Sequence, residues 1–66
     1  MRITVNGDVR EYPDSVTIAG LLEDLDLASR PCAVEVNRKV IPHRNHAEHD
    51  INHGDTIEVV TLVGGG

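Results

Sequence analysis

The sequence has no tryptophan or phenylalanine, one tyrosine and one cysteine, and each shortage removes a class of function. Without aromatic side chains there is no platform on which bases could stack, the usual means of holding single-stranded nucleic acid. The 11 acidic against 6 basic side chains give a net charge of −5, a field that repels phosphates. Nucleic-acid binding is therefore not expected, and a partner with a basic docking surface suits the charge better. A single cysteine, Cys32, can form neither an internal disulfide nor, alone, a structural zinc site, so a reducing, cytoplasmic setting is the expectation. No apolar run approaches the roughly 20 residues that a membrane span needs. The N-terminal MRITVNGDVR has no apolar segment of the signal-peptide kind, so no targeting sequence and no membrane association are expected. With 66 residues the chain has material for one domain with a thin core, burying about 60% of the surface its unfolded form exposes.

What is present is strongly patterned. Met1, Ile3 and Val5 alternate with Arg2 and Thr4, the period of a half-buried strand. Asn6-Gly7 then supplies the residues that best tolerate a tight hairpin turn, and Val9 to Tyr12 reads as the returning strand, ended by Pro13. Ile18, Leu21, Leu22 and Leu25 are spaced as the apolar stripe of a helix, with Thr17 as its N-cap and Leu27 as a candidate extension before Ser29-Arg30-Pro31. Gly20 within that helix is expected to cost about 1 kcal/mol relative to alanine. Glu23, Asp24 and Asp26 read as a solvated acidic face at its unfavourable, C-terminal end. Cys32, Val34 and Val36 share one face of a third strand, Val40-Ile41 forms a short strand before Pro42, and Gly54-Asp55 turns the chain into a last strand from Thr56 to Val63.

One helix cannot bury its stripe alone, so the strands must form a sheet that covers it. The order predicts an α+β fold of the β-grasp kind, a mixed four- to five-stranded sheet packed on one amphipathic helix. Its first and last strands lie side by side and parallel. Residues 1–63 form the domain in this reading, and residues 64–66 a flexible glycine tail projecting into solvent.

Four places in the chain could carry function. In the last strand Ile57, Val59, Thr61 and Val63 point one way, while Thr56, Glu58, Val60 and Leu62 point the other, polar at first and apolar toward the tail. Either a bulge or covering loop buries Val60 and Leu62, or they form an apolar docking patch; solvent accessibility separates the two. The docking patch expected is Val60, Leu62 and Val63. His43, His46, His49 and His53 have spacings that invite a metal reading, but no cysteine or paired acid completes a zinc pattern, so a solvated loop is expected and no metal. Cys32 alternates with core positions and reads as a small hydrophobe. No nucleophile–base pair or carboxylate pair can be placed in so thin a core, so the chain is not expected to be an enzyme. The fourth place is Gly64-Gly65-Gly66. A backbone without side chains can thread a narrow channel, and it ends in the α-carboxylate of Gly66, reactive only once converted to an acyl adenylate.

On these residues the chain resembles the ThiS family, ubiquitin-like sulfur carrier proteins of bacterial thiamine biosynthesis. The resemblance runs through the hairpin at Asn6-Gly7, Thr17-Ile18-x-x-Leu21-Leu22, Ala33-Val34-Glu35-Val36-Asn37, Val40-Ile41-Pro42, Gly54-Asp55-x-Ile57-Glu58-Val59-Val60 and the closing Val63-Gly64-Gly65-Gly66. It implies that a ubiquitin-activating-type, ThiF-like adenylyltransferase adenylates Gly66 with ATP. The carboxylate then becomes a thiocarboxylate with sulfur from a cysteine persulfide, and a ThiG-like thiazole synthase takes that sulfur into the thiazole ring of thiamine. Gly66 would bear the sulfur, Gly64 and Gly65 would form the arm, and no cofactor would be bound. The carrier of molybdopterin synthesis, whose members are longer and more aromatic near the tail, is the nearest alternative. A ubiquitin-like modifier joined to lysines through Gly66, and a β-grasp regulatory module with inert glycines, are the others.

Overall fold

Hairpin chemistry starts the sheet. Strands β1 (Arg2–Val5) and β2 (Asp8–Glu11) pair antiparallel across Asn6-Gly7, whose φ angles of 50° and 86° are those of a turn with the right-handed twist of its strands. The computed structural model describes residues 1–62. After the hairpin come β3 (Val16–Thr17), α1 (Ile18–Asp24), β4 (Cys32–Val36), β5 (Lys39–Val40), a 3-10 turn at His43–Asn45, β6 (Asp50–Ile51) and β7 (Thr56–Thr61). The main sheet has the order β2-β1-β7-β4-β5, and β3 and β6 form a separate two-stranded ladder. The first and last strands are parallel neighbours, Thr4 beside Thr56 and Val5 beside Ile57, as the element order predicts; the other pairs are antiparallel. This is an α+β, β-grasp fold.

Seven residues are too few for a helix to persist in water on local bonds alone, and α1 is held by its surroundings. Ile18, Leu21 and Leu22 are buried among Ile3, Val5, Val34, Val36, Ile51, Ile57 and Val59. The Thr17 hydroxyl accepts from the Gly20 amide at 3.1 Å. The two amides before it are taken by carbonyls of the histidine-rich segment, Ile18 N–H to His49 and Ala19 N–H to His46, both at 3.0 Å. Gly20 itself lies where a Cβ would come within 2.9 Å of Val16 Cγ2, so its cost in helix propensity secures the close approach of β3.

The helix ends earlier than the stripe suggests. Asp26 adopts φ 61°, its amide bonds to the Glu23 carbonyl at 3.0 Å, and the Leu27 amide bonds to the Leu22 carbonyl at 2.8 Å. That pairing closes a helix on a left-handed residue. Leu27 therefore packs against the core from beyond the helix and does not extend it.

The acidic end of α1 is not simply solvated. Tyr12 Oη donates to Asp24 Oδ2 at 2.8 Å, and Arg10 reaches the same oxygen through Nη2 at 3.1 Å. These contacts, the tyrosine hydroxyl foremost, hold the Asp24 carboxyl below its ordinary range. Burial, then the bond to Asp24, pushes the Tyr12 phenol up. A depressed carboxyl stabilises the fold above its unfolded pKa of about 4, and the contribution vanishes as pH falls through the lower folded value. The phenol has the opposite sign: its contribution is complete below about pH 10 and is lost as pH rises through the raised value. Thermal melts should therefore show wild type above Asp24→Asn at neutral pH, with the gap closing at acid pH. A gap constant from neutral pH to pH about 2 would contradict this linkage.

Candidate functional site

The last strand carries the residues singled out beside the tail. Ile57 and Val59 are buried against α1, whereas Thr61, of the same parity, is exposed where the sheet ends. Val60 is 58% and Leu62 52% exposed, so no bulge or covering loop buries them among the described residues. Two asparagines keep this strand in place. Asn6 Nδ2 donates to the Val59 carbonyl at 3.1 Å, and the Val59 amide donates to Asn6 Oδ1 at 2.8 Å. At the other margin the Thr56 amide donates to Asn37 Oδ1 at 2.9 Å, and the Asn37 amide to the Thr56 carbonyl at 2.8 Å. Each hairpin turn thus contributes an asparagine with positive φ, 50° and 51°, whose side chain extends the hydrogen bonding of the sheet. The last backbone tie among the described residues is Leu62 N–H to the Pro31 carbonyl at 2.9 Å. Val63, Gly64, Gly65 and Gly66, all named from the sequence, lie outside the described residues.

The register shows what shares the face of Val60. Ala33 stands opposite it on β4, and Glu35 stands opposite Glu58; Val40 of β5 stands opposite Glu35. Alternation in β4 placed Cys32, Val34 and Val36 inward, and so Ala33 and Glu35 outward, but the pairing of Glu35 with Glu58 could not be read from one strand alone. Cys32 is half-buried against the core, its Sγ 3.9 Å from the Leu27 carbonyl oxygen.

The histidine segment departs from a solvated loop. His46 is 4% exposed, and its Nε2 lies 3.0 Å from the Ile41 carbonyl oxygen; a carbonyl can only accept, so Nε2 donates. Its Nδ1 is buried without a hydrogen-bond partner. His43 meets the His46 ring edge-on with centroids 5.2 Å apart, His53 Nδ1 accepts from the Arg2 amide at 2.9 Å, and the His49 carbonyl caps α1. Among the described residues no three histidine, cysteine or acidic side chains are grouped to hold a metal. A cavity of about 110 Å³ between α1 and this segment, lined by Ala19, Leu22, Glu23, Ala28, His43 and His46, is well below the roughly 300 Å³ at which ligand pockets begin. No helix among the described residues is long and apolar enough to cross a membrane.

Known proteins resemble the chain along its whole length. It is 38% identical over 66 residues to the thiazole synthase of Paramagnetospirillum magneticum, matching with all of its own length only 20% of that protein. It is 35% identical over 65 residues to the sulfur carrier protein ThiS of Bacillus subtilis, covering 97% of this chain and 98% of that one. A crystal structure of the thiamine biosynthesis protein ThiS from Geobacter metallireducens superposes with a TM-score of 0.84 at 29% identity, over the full length of both chains. The ThiS family model matches residues 3–66, and the chain belongs to the ThiS family.

Proposed function

We propose that the protein is a sulfur carrier whose Gly66 carboxylate is converted to a thiocarboxylate and donates sulfur for the thiazole ring of thiamine. The observation that carries this reading is the way β7 ends. The strand pairs with β1 at Thr56 and Ile57 and with β4 as far as Thr61, and Val63 and three glycines come after Leu62. A relative named thiazole synthase that contains a match to the whole chain supports thiazole formation as the destination of the sulfur.

The chemistry needs an adenylating enzyme, a persulfide donor with a thiol reductant and a sulfur-accepting synthase, and no active site in the carrier. In an adenylating, ThiF-like enzyme a Gly66 carboxylate oxygen attacks the α-phosphorus of ATP and pyrophosphate leaves. The terminal sulfur of a cysteine persulfide then attacks the acyl carbon, and AMP leaves with the bonding electrons. A thiol reductant cleaves the resulting acyl disulfide at the cysteine sulfur, releasing the thiocarboxylate and a mixed disulfide. The soft sulfur nucleophile stays tethered, which directs delivery to a ThiG-like synthase and raises its effective concentration there. Val60 and Leu62, with Val63, are the surface on which the partners would rest.

Intact-protein mass spectrometry after incubation with the adenylating enzyme, ATP, a persulfide donor and a thiol reductant tests the assignment. The expected product has one oxygen of the Gly66 carboxylate replaced by sulfur. Unmodified carboxylate under conditions that consume ATP would overturn it, and an amide bond from Gly66 to lysine would point to a protein modifier instead.

A further inference from the structure

The helix-free face of the sheet has an organisation that the tail alone does not explain. Val9 stands opposite Thr4, Thr4 lies beside Thr56, and Thr56, Glu58 and Val60 alternate outward on β7. Val40 stands opposite Glu35, which stands opposite Glu58. Register and parity therefore put all four exposed large hydrophobics among the described residues, Val9, Val40, Val60 and Leu62, on this one face. In their midst Glu35 and Glu58 are direct cross-strand partners. The ion pairs among the described residues are Arg2–Glu11 and Arg10–Asp24, so neither glutamate has a counter-ion there. Like charges placed directly opposite one another work against the sheet, and no ion pair among the described residues offsets the cost.

Taking the carrier function proposed above as its basis, we propose that this face docks on the adenylating enzyme through an arginine seated between Glu35 and Glu58 and flanked by apolar contact with Val60 and Val40. A guanidinium is planar, offers five donors and is weakly hydrated, so it can serve two carboxylates at once beside apolar side chains; an ammonium is a compact, strongly hydrated charge. A second copy of this chain is a poor occupant, because two faces of a molecule with net charge −5 would bring four carboxylates together. Anionic lipid and nucleic acid are repelled for the same reason. The placement also suits activation. Gly66 is six residues beyond Val60, so the carboxylate lies within about 20 Å of the docked face even with the chain fully extended.

The test is pyrophosphate release by the ThiF-like enzyme with ATP and the full-length chain. Wild type, Glu35→Gln/Glu58→Gln and the exposed control Glu48→Gln are compared at low and high sodium chloride. Melting curves come first, and removing the like-charge pair should leave the double variant at least as stable as wild type. Its KM as a substrate should rise about tenfold or more with kcat unchanged. The salt dependence of KM seen in wild type should be largely lost. A KM within about twofold of wild type, or an equal rise in the control, would overturn the docking inference while wild-type turnover upheld adenylation, the first step of the carrier function. If wild type itself releases no pyrophosphate, the carrier reading fails and the docking inference falls with it.

Discussion

Deleting Gly65 and Gly66 is expected to leave the fold intact and to abolish both pyrophosphate release and thiocarboxylate formation. No described hydrogen bond or core contact depends on these residues: β7 is tied by Asn6, Asn37 and the neighbouring strands before Leu62. The melting temperature should stay within about 3 °C of wild type, the range of a surface change on a domain this small. The truncated chain still ends in a carboxylate, on Gly64, so the chemical group survives and only its reach is lost. Each residue spans at most about 3.4 Å, so the reactive carbon is withdrawn by about 7 Å, and a misplacement of even about 1 Å can cost a hundredfold in rate. Undiminished sulfur transfer by the truncated protein would show that Gly66 is not the carrier residue. The same deletion would leave a β-grasp regulatory module functional, so one variant separates two of the readings open to the sequence.

Much of the fold could be read from short-range pattern, because its devices are local. Asn6-Gly7 announces a turn, Thr17 caps a helix whose stripe is Ile18, Leu21 and Leu22, and alternation marks β1, β4 and β7. What escaped has no period to read. β3 and β6 are two residues each, too short to alternate, and their pairing joins Val16 to Ile51 across the helix and the whole of β4. The end of α1 escaped because aspartate, and not glycine, takes the left-handed position at residue 26. His46 escaped because its burial follows from a distant need: the segment that offers carbonyls to the first amides of α1 must lie against the helix, and it carries one imidazole inside with it.

The candidate site divides along the same line. The shift from Thr56 and Glu58 to Val60 and Leu62 on one face of a strand is a property of that strand, but alternation left open whether a bulge or loop covers the two apolar residues, and the structure exposes them. The company they keep is a property of register. Ala33 and Val40 gather near Val60, and Glu35 faces Glu58, only because β4 pairs with β7 and β5 at particular offsets. A slip of one residue would turn each of them to the other face. The glycines carry no pattern beyond composition. Their meaning came from chemistry, the one α-carboxylate they could deliver, and from the likeness to sulfur carriers.

Replacing Asn6 by alanine is expected to be among the most destabilising single changes outside the core. Asn6 is exposed, and a rule based on burial would call the site tolerant. Its side chain nevertheless bonds both the amide and the carbonyl of Val59, doing for the parallel edge of β7 what another residue of β1 would otherwise do. Alanine orphans both groups in a partly buried position, at about 1–3 kcal/mol each when no water replaces the bond, and must itself hold φ 50°, at about 1 kcal/mol more. Even the lower end, about 3 kcal/mol, is a large share of the roughly 3–10 kcal/mol available to a domain of this length, and should lower the melting temperature by about 20 °C. Asn6→Gly removes the side-chain bonds but accepts the backbone angle, so it should recover about 1 kcal/mol of the loss. Asn6→Asp keeps the acceptor for the Val59 amide and places a carboxylate against the Val59 carbonyl, so it should also destabilise. Hydrogen exchange at the Val59 amide, beside the exposed Val60, should rise in all three variants by more than global stability explains. Melting within about 3 °C of wild type for Asn6→Ala would mean that backbone bonds alone, those of Thr4 and Val5 and the Asn6 amide to the Ile57 carbonyl, suffice to join β1 and β7. The strand that presents the docking face and leads to the glycines would then not depend on the turn at the far end of the hairpin.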